Sequence, residues 1–127
     1  MSEESTYEIE IRVETAFLEE DSAPDDERYV FSYTIRICNS GSIGARLLNR
    51  HWVITDANGK VQEVRADGVV GEQPWLQPGE CFEYTSGAIL ETSVGTMQGS
   101  YGMVGDDGTA FEANIPPFIL AVPRTLH

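Results

Sequence analysis

The sequence predicts an all-β protein, about seven strands packed as a two-sheet antiparallel sandwich with almost no helix. Three observations carry that expectation. Apolar and polar residues alternate with a period of two along several segments, which turns one face of each toward a core and the other toward water. Gly, Pro, Asn and Asp punctuate the chain between those segments at positions that suit tight turns. No extended window shows the apolar spacing of an amphipathic helix.

In chain order, the first strand carries Tyr7, Ile9, Ile11, Val13 and Phe17 on odd positions, with Glu8, Glu10, Arg12 and Glu14 between them. Residues 19–27, EEDSAPDDE, are almost wholly acidic and broken by Pro24, and read as a solvated loop. The run from Glu19 to Glu27 could attract a hard cation such as Mg²⁺ or Co²⁺, but it lacks the D-x-[DN]-x-[DN]-G register of a calcium loop. A second strand over residues 28–39 places Tyr29, Phe31, Tyr33, Ile35 and Ile37 on one face and Ser32, Thr34, Arg36 and Cys38 on the other. After the loop SGSIGA, residues 46–56 form a third strand with Trp52 and Ile54 opposed to His51 and Val53. Asn58-Gly59 suits a two-residue type I′ turn, because both residues tolerate φ > 0. The returning strand, residues 60–67, is apolar on neither face and belongs at a sheet edge. Pro78-Gly79 fits a type II turn ahead of a strand from Cys81 through Ile89. Asp106-Asp107-Gly108 turns a last hairpin, and Pro116-Pro117 with Pro123 bracket a short terminal strand or an extended tail.

The 127 residues fit one domain, residues 1–127, with its core over about 7–122. No apolar run approaches the roughly 20 residues that span a bilayer, and the acidic opening MSEESTYEIE does not resemble a signal peptide. The expected address is the cytoplasm. With 21 acids against 8 lysines and arginines the net charge is -13, which repels phosphate backbones and anionic lipid, so neither nucleic acid nor membrane is an expected partner. A basic partner or metal cations would be attracted, although such a charge also serves solubility alone.

Cys38, Cys81, His51 and His127 show no C-x-x-C or H-x-x-x-H spacing, so no metal site is expected. The order Cys38, Trp52, Cys81 imitates an antibody domain, yet Cys38 lies on the polar face of its strand, away from the core where an inter-sheet disulfide forms. A fibronectin type III-like sandwich with two free thiols is the better reading for a cytoplasmic protein. Antiparallel pairing of the second strand with the one beginning at Cys81 would bring the thiols near each other, an incidental contact.

Residues 66–71 read A-D-G-V-V-G, matching the second and third glycines of a G-x-G-x-x-G pyrophosphate loop at Gly68 and Gly71, with Ala66 at the first. Such a loop must open a helix whose N-terminal N–H groups face phosphate. Here Glu72, Gln73, Pro74, Trp75 and Leu76 follow, with Pro78-Gly79 close behind, and no Gly-Lys-Ser/Thr triplet exists. The segment is a crossover between strands with glycines at positive φ. No cofactor is expected and nucleotide binding is disfavoured. No nucleophile, base and orienting group converge in the sequence, so no catalytic residue is expected. The better candidate surface is a protein contact at Gln73, Trp75 and Leu76, since Trp is over-represented in binding hot spots, with Trp75 folding back over the core as the alternative. The small-residue-rich stretch Gly87–Gly102 is a second candidate, or simply tight sheet packing.

Five segments carry a family resemblance: ERYVFSYTIRICN, NRHWVITDANGKVQEV, GVVGEQPWLQPGE, YTSGAILETSVGTMQGSYGMV and IPPFILAVP. Together they resemble the bacterial ApaG family, also called CorD, over about Ile9 to His127, most specifically at residues 84–92 and 95–101. The resemblance implies a fibronectin type III-like sandwich and no recognised catalytic residues. The family's names point to dinucleoside-polyphosphate metabolism and to cobalt and magnesium tolerance, and neither is a mechanism. Similar domains in eukaryotic F-box proteins and in a polymerase-delta-interacting protein imply binding to other proteins. Members often carry the full G-x-G-x-x-G, from which Ala66 departs. The expectation is a non-enzymatic module for an unidentified protein partner. Its alternative is a small-ligand role, for a nucleotide or pyrophosphate or for a divalent cation.

Overall fold

The computed structural model describes residues 6–123. Its strands are β1 (Ile9–Phe17), β2 (Tyr29–Asn39), β3 (Ala45–Asp56), β4 (Val61–Asp67), β5 (Trp75–Leu76), β6 (Cys81–Leu90), β7 (Val94–Gly105) and β8 (Ala110–Ala121). The only helical pieces among the described residues are two 3₁₀ turns, Glu19–Asp21 and Pro24–Asp26, within the acidic run. One sheet has the order β1-β2-β6, the other β4-β3-β7-β8 with β5 paired to β3, and every pairing is antiparallel. The all-β sandwich expected from the alternation is the fold.

The inward face of β2, with Phe31, Tyr33, Ile35 and Ile37, packs on Leu47 and Trp52 of β3, Met97, Tyr101 and Met103 of β7, and Leu120 of β8. Trp52 meets Tyr33, Tyr101 and Phe118 edge-on at ring separations of 5.4, 6.4 and 5.8 Å, the arrangement that the ring quadrupoles favour. Asn39, 2% exposed at the end of β2, is satisfied on three sides. Its amide donates to the carbonyls of Ile43 and Leu76, each at 2.9 Å, and its oxygen accepts from Gly41 N–H at 2.9 Å. That one side chain ties the β2–β3 loop to β5.

Three local readings are corrected by the structure. Asn58-Gly59 does not form a two-residue type I′ turn, because Gly59 alone has positive φ, at 81°. Asp56 Oδ1 accepts both Asn58 N–H and Lys60 N–H at 2.9 Å, and Gly59 N–H closes on Asp56 O at 3.1 Å, which makes a longer loop with a left-handed glycine at its exit. Pro116-Pro117 do not end a strand. β8 runs through them, because it is an outer strand of its sheet and an irregularity opposite Met97/Gly99 absorbs the extra residue. The thiols are not free. Cys38 and Cys81 are opposed partners on β2 and β6 and are joined by a disulfide on the outer face of the smaller sheet.

The Tyr84 and Tyr101 hydroxyls meet at 2.5 Å between the sheets. Burial pushes the Tyr84 phenol up from 10.0 to about 12 and drives Tyr101 up as well, in the latter case reinforced by Tyr84. Both therefore keep their protons in the folded chain at a pH where the unfolded chain releases them. The stability they contribute is full below pH 10.0 and declines as pH rises toward about 12, by about 1.4 kcal/mol per pH unit for each tyrosine. Denaturant unfolding across that alkaline window should show a shallower decline for Tyr84→Phe than for the parent. Equal slopes would remove the pair as the cause.

Candidate functional site

β3 changes which of its residues face inward part-way along. Leu47 is fully buried and so is Trp52, five positions on, which a strictly alternating strand forbids. The change falls at Leu48, where the pairing with β7 steps from Leu47↔Met103 to Asn49↔Gly102. Beyond it Arg50, Trp52 and Ile54 alternate with Asn49, His51 and Val53, and the latter set faces away from the core.

Pairing then lays those residues out in rows across the outer face of the larger sheet. Arg65, His51, Ser100 and Asn114 are successive partners across β4, β3, β7 and β8. Asp67, Asn49, Gly102 and Glu112 form a neighbouring row, and Val61, Thr55, Thr96 and Ile119 an apolar-edged one. Three hollows of about 310, 350 and 370 Å³ run along this face. The first two share Asn49 and Glu112, and the second and third share His51 and Ser100, so they make one continuous trough. Gly99 lines one end of it, and a Cβ there would stand 2.0 Å from the His51 carbonyl oxygen.

His51 Nε2–H donates to Glu63 Oε1 at 2.8 Å, and Arg65 reaches the same oxygen at 3.0 Å. The bond from His51, and then the one from Arg65, hold the Glu63 carboxyl below the usual carboxylate range. Serine, histidine and carboxylate stand close together here, the residue types of a nucleophilic triad. No hydrogen bond joins Ser100 to His51, however, so the nucleophile is not coupled to a base. The trough offers mixed donors and acceptors beside Arg65, Glu63, Asp67 and Glu112.

The glycine segment is built for a different end. Val70 and Gly71, at φ 48° and 77°, are the central residues of a tight turn closed by Val69 N–H to Glu72 O at 2.8 Å and Glu72 N–H to Val69 O at 3.0 Å. Gly68 N–H donates to Leu48 O at 2.8 Å, and Arg50 Nη1 holds the carbonyls of Asp67 and Gly68 at 3.0 and 2.7 Å. The N–H groups of Gly68, Val69 and Glu72 are thus engaged by the protein's own carbonyls. Ala66 lies on β4, not in the turn.

Of the contact residues expected from the sequence, Trp75 is 42% exposed, with its indole N–H donated to Asp106 at 2.8 Å. Gln73 is exposed and its amide donates to Leu48 O at 2.9 Å. Leu76 is 4% exposed and is a core residue, because on the short strand β5 it points opposite to Trp75. It is withdrawn from the contact surface. Of Gly87–Gly102, the portion around Gly99 and Ser100 lies in the trough, whereas Gly87 belongs to the other sheet. Among the described residues no three His, Cys, Asp or Glu are grouped to hold a metal ion, and His127 lies outside those residues. Sequence reading passed over Asn49, Ser100, Asn114 and the His51–Glu63 pair. The only signal for them was polar residues opposed across a hairpin, legible once the register is known.

A family model described as the ApaG domain matches residues 19–105. The protein ApaG of Stenotrophomonas maltophilia is 59% identical over 127 residues, covering 100% of both chains. That of Thiobacillus denitrificans is 61% identical over the same span, again 100% of each. Among solved structures, a protein assigned as ApaA from Bordetella pertussis superposes with a TM-score of 0.94 at 50% identity, covering 97% of this chain and 100% of that one.

Two substitutions test the local backbone. Val70 is β-branched, left-handed and 63% exposed, so Val70→Gly should raise stability, by about 1 kcal/mol once the extra freedom of glycine in the unfolded chain is subtracted. Gly99→Ala should lower it by about 1–3 kcal/mol, since the methyl group meets backbone that cannot swing aside. Urea unfolding of both variants reads the two signs, and the same sign for both would contradict the geometry.

Proposed function

The chain belongs to the ApaG family, and on that premise we propose that it is a non-enzymatic binding module that holds a partner protein along the outer face of its larger sheet. The observation that carries this reading is the continuity of the trough from Leu48 past Asn49 and His51 to Pro117. It is long, open and lined in large part by polar groups, the shape of a surface for an extended segment of another chain rather than of an enclosed small-molecule pocket. Trp75 stands in the row Trp75, Arg46, Val104, Ala110, and Ala110 lines the near end of the trough. A tryptophan held by Asp106 at that end is a rigid, partly apolar anchor of the kind that dominates binding energy.

Three further points support the reading. The names of the ApaG relatives state no enzymatic activity. The uncoupled Ser100 speaks against hydrolysis, and the engaged N–H groups of Gly68, Val69 and Glu72 speak against a nucleotide. A net charge of -13 speaks against nucleic acid and anionic membrane, and the cytoplasmic setting expected from the sequence is kept within the proposal.

The test uses the protein as bait against an extract of its own source, with Trp75→Ala, Arg65→Glu and, on the opposite sheet, Thr85→Arg. Proteins retained by the parent and by Thr85→Arg should be lost or held about tenfold more weakly by the other two. Equal retention by all four baits would overturn the assignment of the face. Saturable amide shifts on residues 67–72 in an ATP titration with Mg²⁺ would replace the reading with the small-ligand one.

A further inference from the structure

The smaller sheet carries a second feature, independent of the trough. On its outer face Glu10, Cys38 and Cys81 are consecutive partners across β1, β2 and β6, and Arg12, Arg36 and Glu83 form the next row. Cys81 is exposed and Cys38 half-buried. The disulfide joins opposed residues, so its bond lies across the strands, and beyond Cys81 no further strand pairs with β6 among the described residues. Arg36 Nη2 points at Cys81 Sγ from 3.8 Å. Beside the disulfide a hollow of about 170 Å³ is lined by Arg12, Glu14, Thr34, Arg36 and Glu83.

We propose that the Cys38–Cys81 pair is a thiol–disulfide exchange site for a small thiol that carries an α-amino acid group. Exchange requires attack in line with the bond being broken. The line through Cys81 opens past the free side of β6, whereas the line through Cys38 passes over β1 on the side of the Glu10 carboxylate. The incoming thiolate RS⁻ therefore attacks Cys81 Sγ. An R–S–Sγ bond to Cys81 forms, the Cys38–Cys81 bond breaks, and its electron pair leaves on Cys38, which takes a proton from water. A second RS⁻ attacks the sulfur of R, releasing RSSR and the Cys81 thiolate that Arg36 faces. Two thiols are thus oxidised to one disulfide while the protein disulfide is reduced to two thiols, and RSSR drives the reverse. Arg36 supplies a seat for the carboxylate of the small thiol, and Glu83 on β6 one for its ammonium.

The fold does not require the bond. β2 and β6 remain paired from Tyr29↔Leu90 to Cys38↔Cys81, so reduction removes a staple from a sheet that is already laddered.

The experiment exposes the folded protein to glutathione with glutathione disulfide, and separately to 2-mercaptoethanol matched in thiolate concentration. Quenched samples are alkylated and read by mass spectrometry, with near-ultraviolet circular dichroism as the check on folding. The bond should open and close reversibly with the spectrum unchanged. Cys38→Ser should trap one glutathione on Cys81, and the same adduct should be found first on the quenched parent. Glutathione should outpace 2-mercaptoethanol. Arg36→Ala should slow the glutathione reaction by about two- to fivefold, as expected for an exposed charge, and Arg36→Lys should restore most of the rate. A bond that opens only when the chain unfolds overturns the proposal. So does first adduct formation on Cys38, or a glutathione rate no higher than that of the neutral thiol.

Discussion

The change of face at Leu48 is the constraint on which the rest of the larger sheet depends. Before it Ala45 and Leu47 are buried, and after it Trp52 is. One extra residue lets β3 serve the core at both ends and still present Asn49, His51 and Val53 to the outside. The same step turns Arg50 inward at the rim, where its guanidinium collects the carbonyls of Asp67 and Gly68. Leu48 takes part directly as well, since its carbonyl accepts from Gly68 N–H and from the Gln73 amide. The irregular point of the strand and the loop that crosses above it are therefore one hydrogen-bonded unit. A carbonyl released from the β3–β7 ladder would cost free energy if buried and unpaired, and the loop meets that need.

Where sequence and structure agree, the reason is periodicity. β1, β2 and β6 pair without a register shift, and β2 in particular buries Phe31, Tyr33, Ile35 and Ile37 as its pattern states. What alternation cannot supply is register. A two-residue turn at Asn58-Gly59 would have opposed Ala57 to Lys60, whereas the Asp56-centred loop opposes Thr55 to Val61. That difference is one residue, and one residue exchanges the faces of a paired strand. Hence the turn residues alone do not show Arg65 opposite His51, and the rest of the row, Ser100 and Asn114, needs the β3–β7 and β7–β8 registers as well. The signal that decides it is Asp56, whose carboxylate captures two backbone N–H groups. An Asp four residues before the lysine looks in the sequence like any acid in an acidic chain.

The cysteines show how a sound argument can stop one step short. Placing Cys38 on the polar face correctly removed the inter-sheet disulfide of an antibody domain. It did not remove a disulfide within one sheet, because opposed outward residues on neighbouring strands are close whatever they face. A cytoplasmic setting favours free thiols, whereas the pairing of β2 with β6 favours a bridge. Geometry decides it. Cys38 and Cys81 are at the end of the paired register, one row from Arg36, and they need no burial to meet.

The glycines at 68 and 71 serve the turn and not a ligand. Gly68 and Gly71 both have positive φ, and so does Val70 between them, for which that region is costly. A loop selected to approach a phosphate would keep its N–H groups free and its conformation cheap. This one engages the N–H groups of Gly68, Val69 and Glu72, and it includes a β-branched residue in the left-handed region, while Val69 beside it is fully buried. The force that holds Val70 in place is the burial of Val69 together with the grip of Arg50 on the preceding carbonyls. The segment is thus a fastening between β4 and β5, and its rigidity in turn fixes the direction in which Trp75 leaves it.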